Sequence, residues 1–135
     1  MSGVLLDTSA VFAAARPGSD RHAEAAEAYR MLLRGPDRLV ATDLIVAELH
    51  ALSIARAHSA FGLDLIDRLL ASTRIEVVSA GMARLHAAAD LLGQRPGRRY
   101  SLTDAVSFVL MRELAIDRAF TLDADFAAEG FALVP

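Results

Sequence analysis

The sequence predicts an α/β fold, a three-layer α/β/α sandwich around a mainly parallel central sheet. Two observations support this prediction. Short continuous apolar runs, typical of strands buried on both faces, alternate along the 135 residues with longer stretches of helical periodicity. Capping residues, glycines and prolines mark the boundaries between the two kinds of segment. Parallel sheets bind ligands beyond the carboxyl ends of their strands, so residues at those ends are the first functional candidates.

The first half of the chain is predicted to form two strands and four helices. Pro17-Gly18 and Gly35-Pro36 end the first two helices, and residues able to cap free amides precede each helix. The capping candidates are Thr8 with Ser9, Ser19 or Asp20, and Thr42 or Asp43, and Ser59 is expected to start the fourth helix. The predicted elements are a strand at 4–6, helices at 10–15 and 21–34, a strand at 39–41, a helix to about 57, and a helix from 59 to about 71.

The second half is predicted to add three strands and three helices. They are a strand at 75–78, a helix at about 81–92, a helix capped by Ser101 or Thr103 that runs to about 114, a strand at 119–122, a short helix at 126–129, and an edge strand at 132–134. The loop at 93–100 is the only concentrated basic segment. Because no repeat or linker interrupts this pattern, residues 1–135 are predicted to form one domain.

The composition excludes several classes of protein. All 14 cationic side chains are arginine, and the chain contains neither lysine nor cysteine. A P-loop and Schiff-base catalysis both need lysine, whereas disulfides, thiolate zinc sites and cysteine nucleophiles need cysteine. No apolar stretch reaches the length of a membrane span, and the N-terminus lacks a signal-peptide pattern. We therefore expect a cytoplasmic protein that does not bind membranes.

The net charge of −3 is unusual for a protein that binds nucleic acid, since phosphate contacts are made largely by cationic groups. An ordinary acidic domain explains this charge. A cluster of acidic metal ligands also explains it, so the sign alone does not decide between these interpretations.

Four acidic residues each stand against an apolar segment, and they are Asp7, Glu48, Asp104 and Asp123. Burying an ionised carboxylate costs several kcal/mol unless it is paired, protonated or bound to a metal. Two such charges ~4 Å apart repel by about 4 kcal/mol at an effective dielectric of 20. A divalent cation reverses this repulsion, and oxygen ligands favour Mg²⁺, for which Mn²⁺ can substitute. If the fold brings the four together, the predicted site suits metal-assisted phosphoryl chemistry.

Each acid also has an ordinary structural explanation. Asp7 follows a predicted strand, where an aspartate commonly caps a helix or a turn. Glu48 is more telling, because Leu44 and Leu52 share its helical face and predict that its side chain points inward rather than into solvent. Asp104 lies in the first turn of its helix, where a negative charge gains a few tenths of a kcal/mol from the helix dipole.

Asp123 and Asp125 are rivals for the fourth position in the acidic site. Asp123 directly follows the strand predicted at 119–122, which places it at the ligand-binding edge of the sheet. Asp125 lies two residues further on, where we expect it to cap the short helix at 126–129.

Four motifs occur in order over nearly the full chain. They are Val4-Leu5-Leu6-Asp7-Thr8-Ser9, Glu48, Tyr100-Ser101-Leu102-Thr103-Asp104-Ala105-Val106-Ser107-Phe108, and Phe120-Thr121-Leu122-Asp123. In order, spacing and chain length these motifs resemble PIN-domain ribonucleases of the VapC toxin type.

The resemblance implies a PIN-like fold, Mg²⁺- or Mn²⁺-dependent endoribonuclease activity, a homodimer, and neutralisation by a small cognate antitoxin. By this resemblance, the residues expected to act both in catalysis and in metal binding are Asp7, Glu48, Asp104 and Asp123. Three neighbours of these acids in the motifs are expected to support them, and they are Thr8, Ser9 and Thr103.

Arginines are the predicted contacts to RNA. Arg98 and Arg99 lie in the basic loop that directly precedes the Asp104 motif. Arg112, followed by Glu113, also resembles the family pattern and is expected either to bind phosphate or to form an internal ion pair. Relatives often have Asp-Arg-His-Phe where this chain has Asp-Ala-Asp-Phe at 123–126. The alternative function is a catalytically inactive domain of the same fold that only binds protein or RNA.

Overall fold

The computed structural model describes residues 2–135, which form five strands and seven helices. The strands are β1 (Gly3–Leu6), β2 (Arg38–Thr42), β3 (Ile75–Val78), β4 (Arg118–Phe120) and β5 (Ala132–Val134). The helices are α1 (Thr8–Ala15), α2 (His22–Arg34), α3 (Asp43–Arg56), α4 (Ser59–Ala71), α5 (Gly81–Gly93), α6 (Leu102–Glu113) and α7 (Asp125–Ala128).

The sheet is parallel throughout and has the strand order β3-β2-β1-β4-β5. β1 is the central strand, and Leu5 pairs with Val40 on one side and with Ala119 on the other. All four residues of β1 are buried, as its continuous apolar sequence predicts for a strand covered on both faces. The predicted α/β sandwich with a parallel sheet is confirmed.

The helices cover the sheet in two packed groups. α1 to α4 pack on one another, and α5 packs on α6. The core includes the buried aromatic rings of Phe108, Phe120 and Phe126. The ring of Phe108 meets that of Phe126 edge to face at 4.9 Å between centroids, which ties α6 to α7. Within residues 2–135, no helix is both long enough and apolar enough to cross a lipid bilayer.

Three helix starts differ from the sequence prediction. α1 begins at Thr8 rather than residue 10, so Thr8 and Ser9 are helical and do not cap it. Neither Ser19 nor Asp20 caps α2; the N-cap position is held by Arg21, which adopts a left-handed conformation with φ of 58° and makes no capping hydrogen bond. α7 begins at Asp125, which is therefore its first residue and not its cap.

Other predicted caps are present. Thr42 caps α3 by accepting from the amide of Ile45 at 3.2 Å, and Ser101 rather than Thr103 caps α6. α4 begins at Ser59, as predicted, and His58 caps it through its Nδ1.

β4 ends at Phe120, two residues before the predicted boundary. The reason is that side-chain hydroxyls, rather than a neighbouring strand, accept the next backbone amides. The amide of Leu122 donates to the Ser9 hydroxyl at 3.0 Å, and the amide of Asp123 donates to the Thr121 hydroxyl at 3.0 Å. Amides that bond to side chains no longer extend the ladder, so Asp123 lies three residues beyond the strand.

Candidate active site

The four predicted acids lie around one cavity of about 290 Å³, which is bordered by the carboxyl end of β1 and by the segment after β4. α3 contributes Glu48 to the cavity wall, and the start of α6 contributes Asp104. The complete lining is Asp7, Thr8, Ser9, Glu48, Leu52, Ser101, Asp104 and Asp123. Residues from four separate segments of the chain therefore meet at one point.

Asp7 is the most buried of the four, with only 4% of its surface exposed. It occupies the N-cap position of α1, but its side chain makes no capping bond. Its Oδ2 instead accepts the hydroxyl of Ser9 at 2.9 Å and that of Thr121 at 2.8 Å. Burial and the nearby charge of Glu48 raise the pKa of Asp7, while these two hydrogen bonds oppose the rise. The two hydroxyls thus fix the orientation of a carboxylate whose ionised form is disfavoured by burial and by the charge of Glu48.

Asp104 both stabilises the start of α6 and lines the cavity. It forms a capping box with Ser101: the Ser101 amide donates to Asp104 Oδ2 at 3.1 Å, and the Asp104 amide donates to the Ser101 hydroxyl at 3.0 Å. Burial raises the pKa of Asp104 to about 6, and the charges of Asp7 and Asp123 add to the rise. Hydrogen bonds at the start of α6 therefore hold the Asp104 carboxylate in place, while the negative charges of Asp7 and Asp123 disfavour its ionised form.

Glu48 lies midway along α3 and is half-buried, with the fully buried Leu49 next to it. No hydrogen-bond donor reaches its carboxylate among residues 2–135. Its inward orientation matches the prediction from its apolar neighbours. An unpaired carboxylate that lines a cavity with other acids is open to a cationic ligand.

Asp123, rather than Asp125, makes the side-chain hydrogen bond at the start of α7. Asp123 Oδ1 accepts the amide of Asp125 at 2.9 Å at the start of α7, whereas the side chain of Asp125 makes no capping bond there. Burial and the charge of Asp123 raise the pKa of Asp125, and the positive charge of Arg98 partly offsets the rise. The expected capping role of Asp125 is therefore wrong, and this residue stays close to the acidic cluster.

The residues present fit a divalent cation. One carboxylate oxygen from each of Asp104, Asp123 and Asp125 lies within 4.8 Å of the other two. In the same cavity wall, the Oγ1 of Thr8 is buried and has no hydrogen-bond partner within residues 2–135. Oxygen donors together with neighbouring negative charges suit Mg²⁺ or Mn²⁺ better than zinc.

Thr121 is the supporting residue that the sequence reasoning did not single out. Its side chain bonds Asp7 and the Asp123 amide, so one buried hydroxyl links two of the acids. A hydroxyl residue within the otherwise apolar segment 119–122, which was predicted to be a strand, was the available signal. Of the three predicted supporting residues, Ser9 bonds Asp7, Thr8 lines the cavity, and Thr103 makes no side-chain hydrogen bond to these acids.

The predicted RNA-binding arginines fall into two groups. Arg112 donates to Glu129 Oε1 at 3.0 Å and lies over the ring of Phe131, which corresponds to the internal ion pair of the two alternatives. Arg98 and Arg99 are exposed and form no ion pair within residues 2–135. These two remain free to contact an external anion.

Comparison of this chain with known proteins identifies a matching family model and similar proteins. The family model for the PIN domain matches residues 4–131. The 23S rRNA-specific endonuclease VapC20 of Mycobacterium tuberculosis, recorded for two strains, is 31% identical over 132 residues, which is 97% of each chain.

Solved structures agree with the sequence matches. The crystal structure of Mycobacterium tuberculosis VapC20, described as a sarcin-ricin loop cleaving toxin, superposes with a TM-score of 0.87 and 26% identity over 96% of this chain and 97% of that one. VapBC2 from Rickettsia felis, bound to a promoter DNA fragment, gives a TM-score of 0.70 at 14% identity over 96% of both chains, which shows the shared fold. The resemblance seen in the sequence motifs is confirmed.

Proposed function

We propose that this chain, which belongs to the PIN-domain family, is a metal-dependent endoribonuclease that acts as the toxin of a toxin–antitoxin pair. The observation that carries the proposal is the meeting of four acids from distant segments around one cavity. The relative at 31% identity is named as an RNA endonuclease, which supports the same reaction here. We place the activity in the cytoplasm, where RNA substrates occur.

We assign Asp7, Glu48, Asp104 and Asp123 as the catalytic and metal-binding residues. Bound Mg²⁺ or Mn²⁺ would supply activation of water and neutralisation of charge on the phosphate oxygens. Ser9 and Thr121 hold Asp7 in one orientation, and Ser101 holds Asp104 at the start of α6. This preorganisation lowers the cost of placing the scissile phosphate against the acids.

A direct test is cleavage of RNA by the purified protein with and without added metal. RNA carrying the sarcin-ricin loop of 23S rRNA is the first substrate to test, because the similar VapC20 is described as cleaving that loop. We expect cleavage with Mn²⁺ or Mg²⁺ and none in EDTA. Mapping of the RNA ends then gives the cleavage position. Tight RNA binding without cleavage under any metal condition would favour the catalytically inactive alternative.

The two rival aspartates can be separated by their metal requirement. We expect Asp123→Asn to raise the Mg²⁺ concentration needed for half-maximal cleavage by about tenfold or more, because Asp123 lines the cavity with the other acids. The Asn side chain keeps the oxygen that accepts the Asp125 amide, so the loop should remain intact. Asp125→Asn should change the requirement less and leave stability almost unchanged. The reverse order in paired Mg²⁺ titrations would reassign the fourth ligand to Asp125.

Arg98 and Arg99 are proposed to bind RNA phosphates beside the acids. Replacing both with alanine should weaken RNA binding and reduce the slope of log affinity against log salt by about 0.7 for each lost contact with a single strand. Arg34→Ala is the matched control, because Arg34 is exposed and lies at the amino end of the sheet, before β2. Equal slopes for the double variant and the wild type would place phosphate binding elsewhere.

The partners we propose are a cognate antitoxin and a second copy of the chain. Leu63 and Leu70, seven residues apart on α4, are 55% and 57% exposed and offer apolar surface for a protein contact. An antitoxin that places an arginine or lysine against the four acids would compete with metal. Such an antitoxin should bind Asp7→Asn less tightly than wild type in calorimetric titrations. Identical affinities would mean that inhibition acts at a distance from the acids.

A further inference from the structure

A second cavity of about 680 Å³ lies next to the acidic one and shares Ser9 and Leu52 with it. Its volume is within the range of about 300–1,000 Å³ typical of pockets that enclose a small ligand. Its wall combines apolar surface from Phe12 and Leu122 with two arginines, Arg16 and Arg56. We call this cavity the arginine groove. Because the two cavities share lining residues, a chain bound across the acids can extend into the neighbouring cavity.

Arg16 and Arg56 differ from most arginines of the protein in lacking an ionic partner. Of the 14 arginines, eight form ion pairs with carboxylates. Arg74 instead donates to the backbone carbonyls of four residues between 32 and 37. Neither Arg16 nor Arg56 has a carboxylate within ion-pair distance among residues 2–135. Their positive charges are therefore available to a ligand.

Both arginines line the arginine groove. The amide of Arg16 donates to the Phe12 carbonyl at 3.0 Å at the end of α1, and its guanidinium lies 5.6 Å from the centroid of the Phe61 ring. Arg56 is the last residue of α3 and is exposed. Asp20 is the one carboxylate of the lining. The groove thus presents two cations and an apolar floor beside a cluster of acids.

We infer that the arginine groove binds the RNA segment that flanks the scissile phosphate, with Arg16 and Arg56 contacting its phosphates. The inference rests on the proposed endoribonuclease function and adds a binding subsite to it. Single-stranded RNA is recognised by cationic grooves that follow the backbone and by apolar or aromatic surface that receives the bases. The arginine groove offers both of these features.

The distribution of unpaired cations favours RNA over an acidic protein segment as the occupant. Arg98 and Arg99 precede Ser101, whereas Arg16 and Arg56 lie in the cavity beyond Ser9 and Leu52. Unpaired cations therefore occur near two different parts of the acidic cavity's lining, Ser101 and the pair Ser9 and Leu52. We expect the phosphodiester backbone of an RNA that runs past the acids to contact one pair on one side of the scissile bond and the other pair on the other side.

The first test measures binding of a fluorescently labelled single-stranded RNA by anisotropy in EDTA, where no metal-dependent cleavage occurs. We expect Arg16→Gln/Arg56→Gln to weaken binding by at least about tenfold and to reduce the salt slope by about 1.4, or about 0.7 for each contact. Arg34→Gln removes an equally unpaired charge at the other end of the sheet and should match the wild type. Arg16→Lys/Arg56→Lys keeps the charges and should keep most of the slope.

The second test measures cleavage with Mn²⁺. The double glutamine variant should raise KM by about tenfold and change kcat less than about twofold, since the arginines bind RNA outside the reacting atoms. If the double glutamine variant bound RNA as tightly as Arg34→Gln and had the same KM, the subsite would be overturned even if the wild type cleaves RNA. A protein partner would then be the occupant to test for the groove. Failure of the wild type to bind RNA in EDTA would also overturn it. Arginine-dependent binding without any cleavage would support the subsite while contradicting the proposed function.

Discussion

Asp7→Asn is expected to reduce metal-dependent RNA cleavage by at least about a thousandfold, the loss that several kcal/mol of metal-derived stabilisation implies. Asp7 is the most buried acid of the cavity, and two hydroxyls fix its orientation. Asparagine has nearly the same shape and keeps an oxygen for those hydroxyls, so the change removes charge without opening a void. Single-turnover cleavage of RNA at saturating Mn²⁺ is the measurement.

Stability in EDTA separates a lost ligand from a damaged fold. Burial and neighbouring charges raise the folded pKa of Asp104 to about 6, above its ordinary value of 3.8. The folded state then holds its proton more tightly, so Asp104 lowers the free energy of unfolding as pH rises from about 4 through 6. Asp104→Asn removes this penalty.

In denaturant melts at pH 8 with EDTA, we therefore expect Asp104→Asn to be at least as stable as the wild type. Added Mn²⁺ should stabilise the wild type more than either Asp7→Asn or Asp104→Asn, because ligand binding stabilises only the protein that binds it. Equal stabilisation of all three proteins would contradict the assignment of the acids as metal ligands.

Glu129→Gln is expected to lower the free energy of unfolding by about 2 kcal/mol. The Glu129 side chain is only 4% exposed and accepts from Arg95 at 3.0 Å, from Arg112 at 3.0 Å, and from the Tyr100 hydroxyl at 2.9 Å. Glutamine retains one acceptor oxygen but no charge. The two arginines are partly exposed, which keeps the loss below the 3–5 kcal/mol typical of fully buried pairs.

The pH dependence gives a second signature of the same cluster. Desolvation opposes the charge of Glu129, but hydrogen bonds from Arg95, Arg112 and Tyr100 outweigh it and lower the pKa to about 2. A lowered pKa means that the stabilisation is present above the ordinary value of 4.5 and is lost as pH falls toward 2. The difference in stability between wild type and Glu129→Gln should therefore shrink between pH 4.5 and 2.

Glu113→Gln is the matched control for that series. Glu113 pairs with Arg84 at 3.0 Å, but its side chain is 44% exposed, and exposed pairs contribute about 0–1 kcal/mol. Urea melts of the three proteins at pH 7 and pH 3 make the comparison. A loss for Glu129→Gln no larger than that for Glu113→Gln would contradict the stabilising role of the cluster.

Local sequence patterns accounted for most of the architecture. The apolar run of β1 predicted a strand buried on both faces, and β3 and β5 have the predicted boundaries. These patterns succeed because burial of apolar side chains dominates the free energy of folding and imposes a period on each element. The same reasoning identified the four acids, since a carboxylate beside a core segment requires a compensating partner.

The ends of elements depended on contacts between distant segments. β4 stops where the Ser9 hydroxyl, more than a hundred residues away in sequence, accepts the amide of Leu122. At the start of α7 the hydrogen bond expected of Asp125 is made by Asp123, whose carboxylate accepts the first amide of the helix. The hydrophobic periodicity of a short stretch of sequence cannot predict such contacts.

What the sequence determined by itself was the fold class, the order of the elements and the residue types able to hold a cation. Only the tertiary structure decided which hydroxyls orient Asp7, that Arg112 pairs with Glu129, and that no carboxylate of residues 2–135 pairs with Arg16 or Arg56. The physical reason is that hydrophobic periodicity is a local property of the chain. Hydrogen bonds and ion pairs depend instead on distances of a few ångströms between segments that meet only after folding.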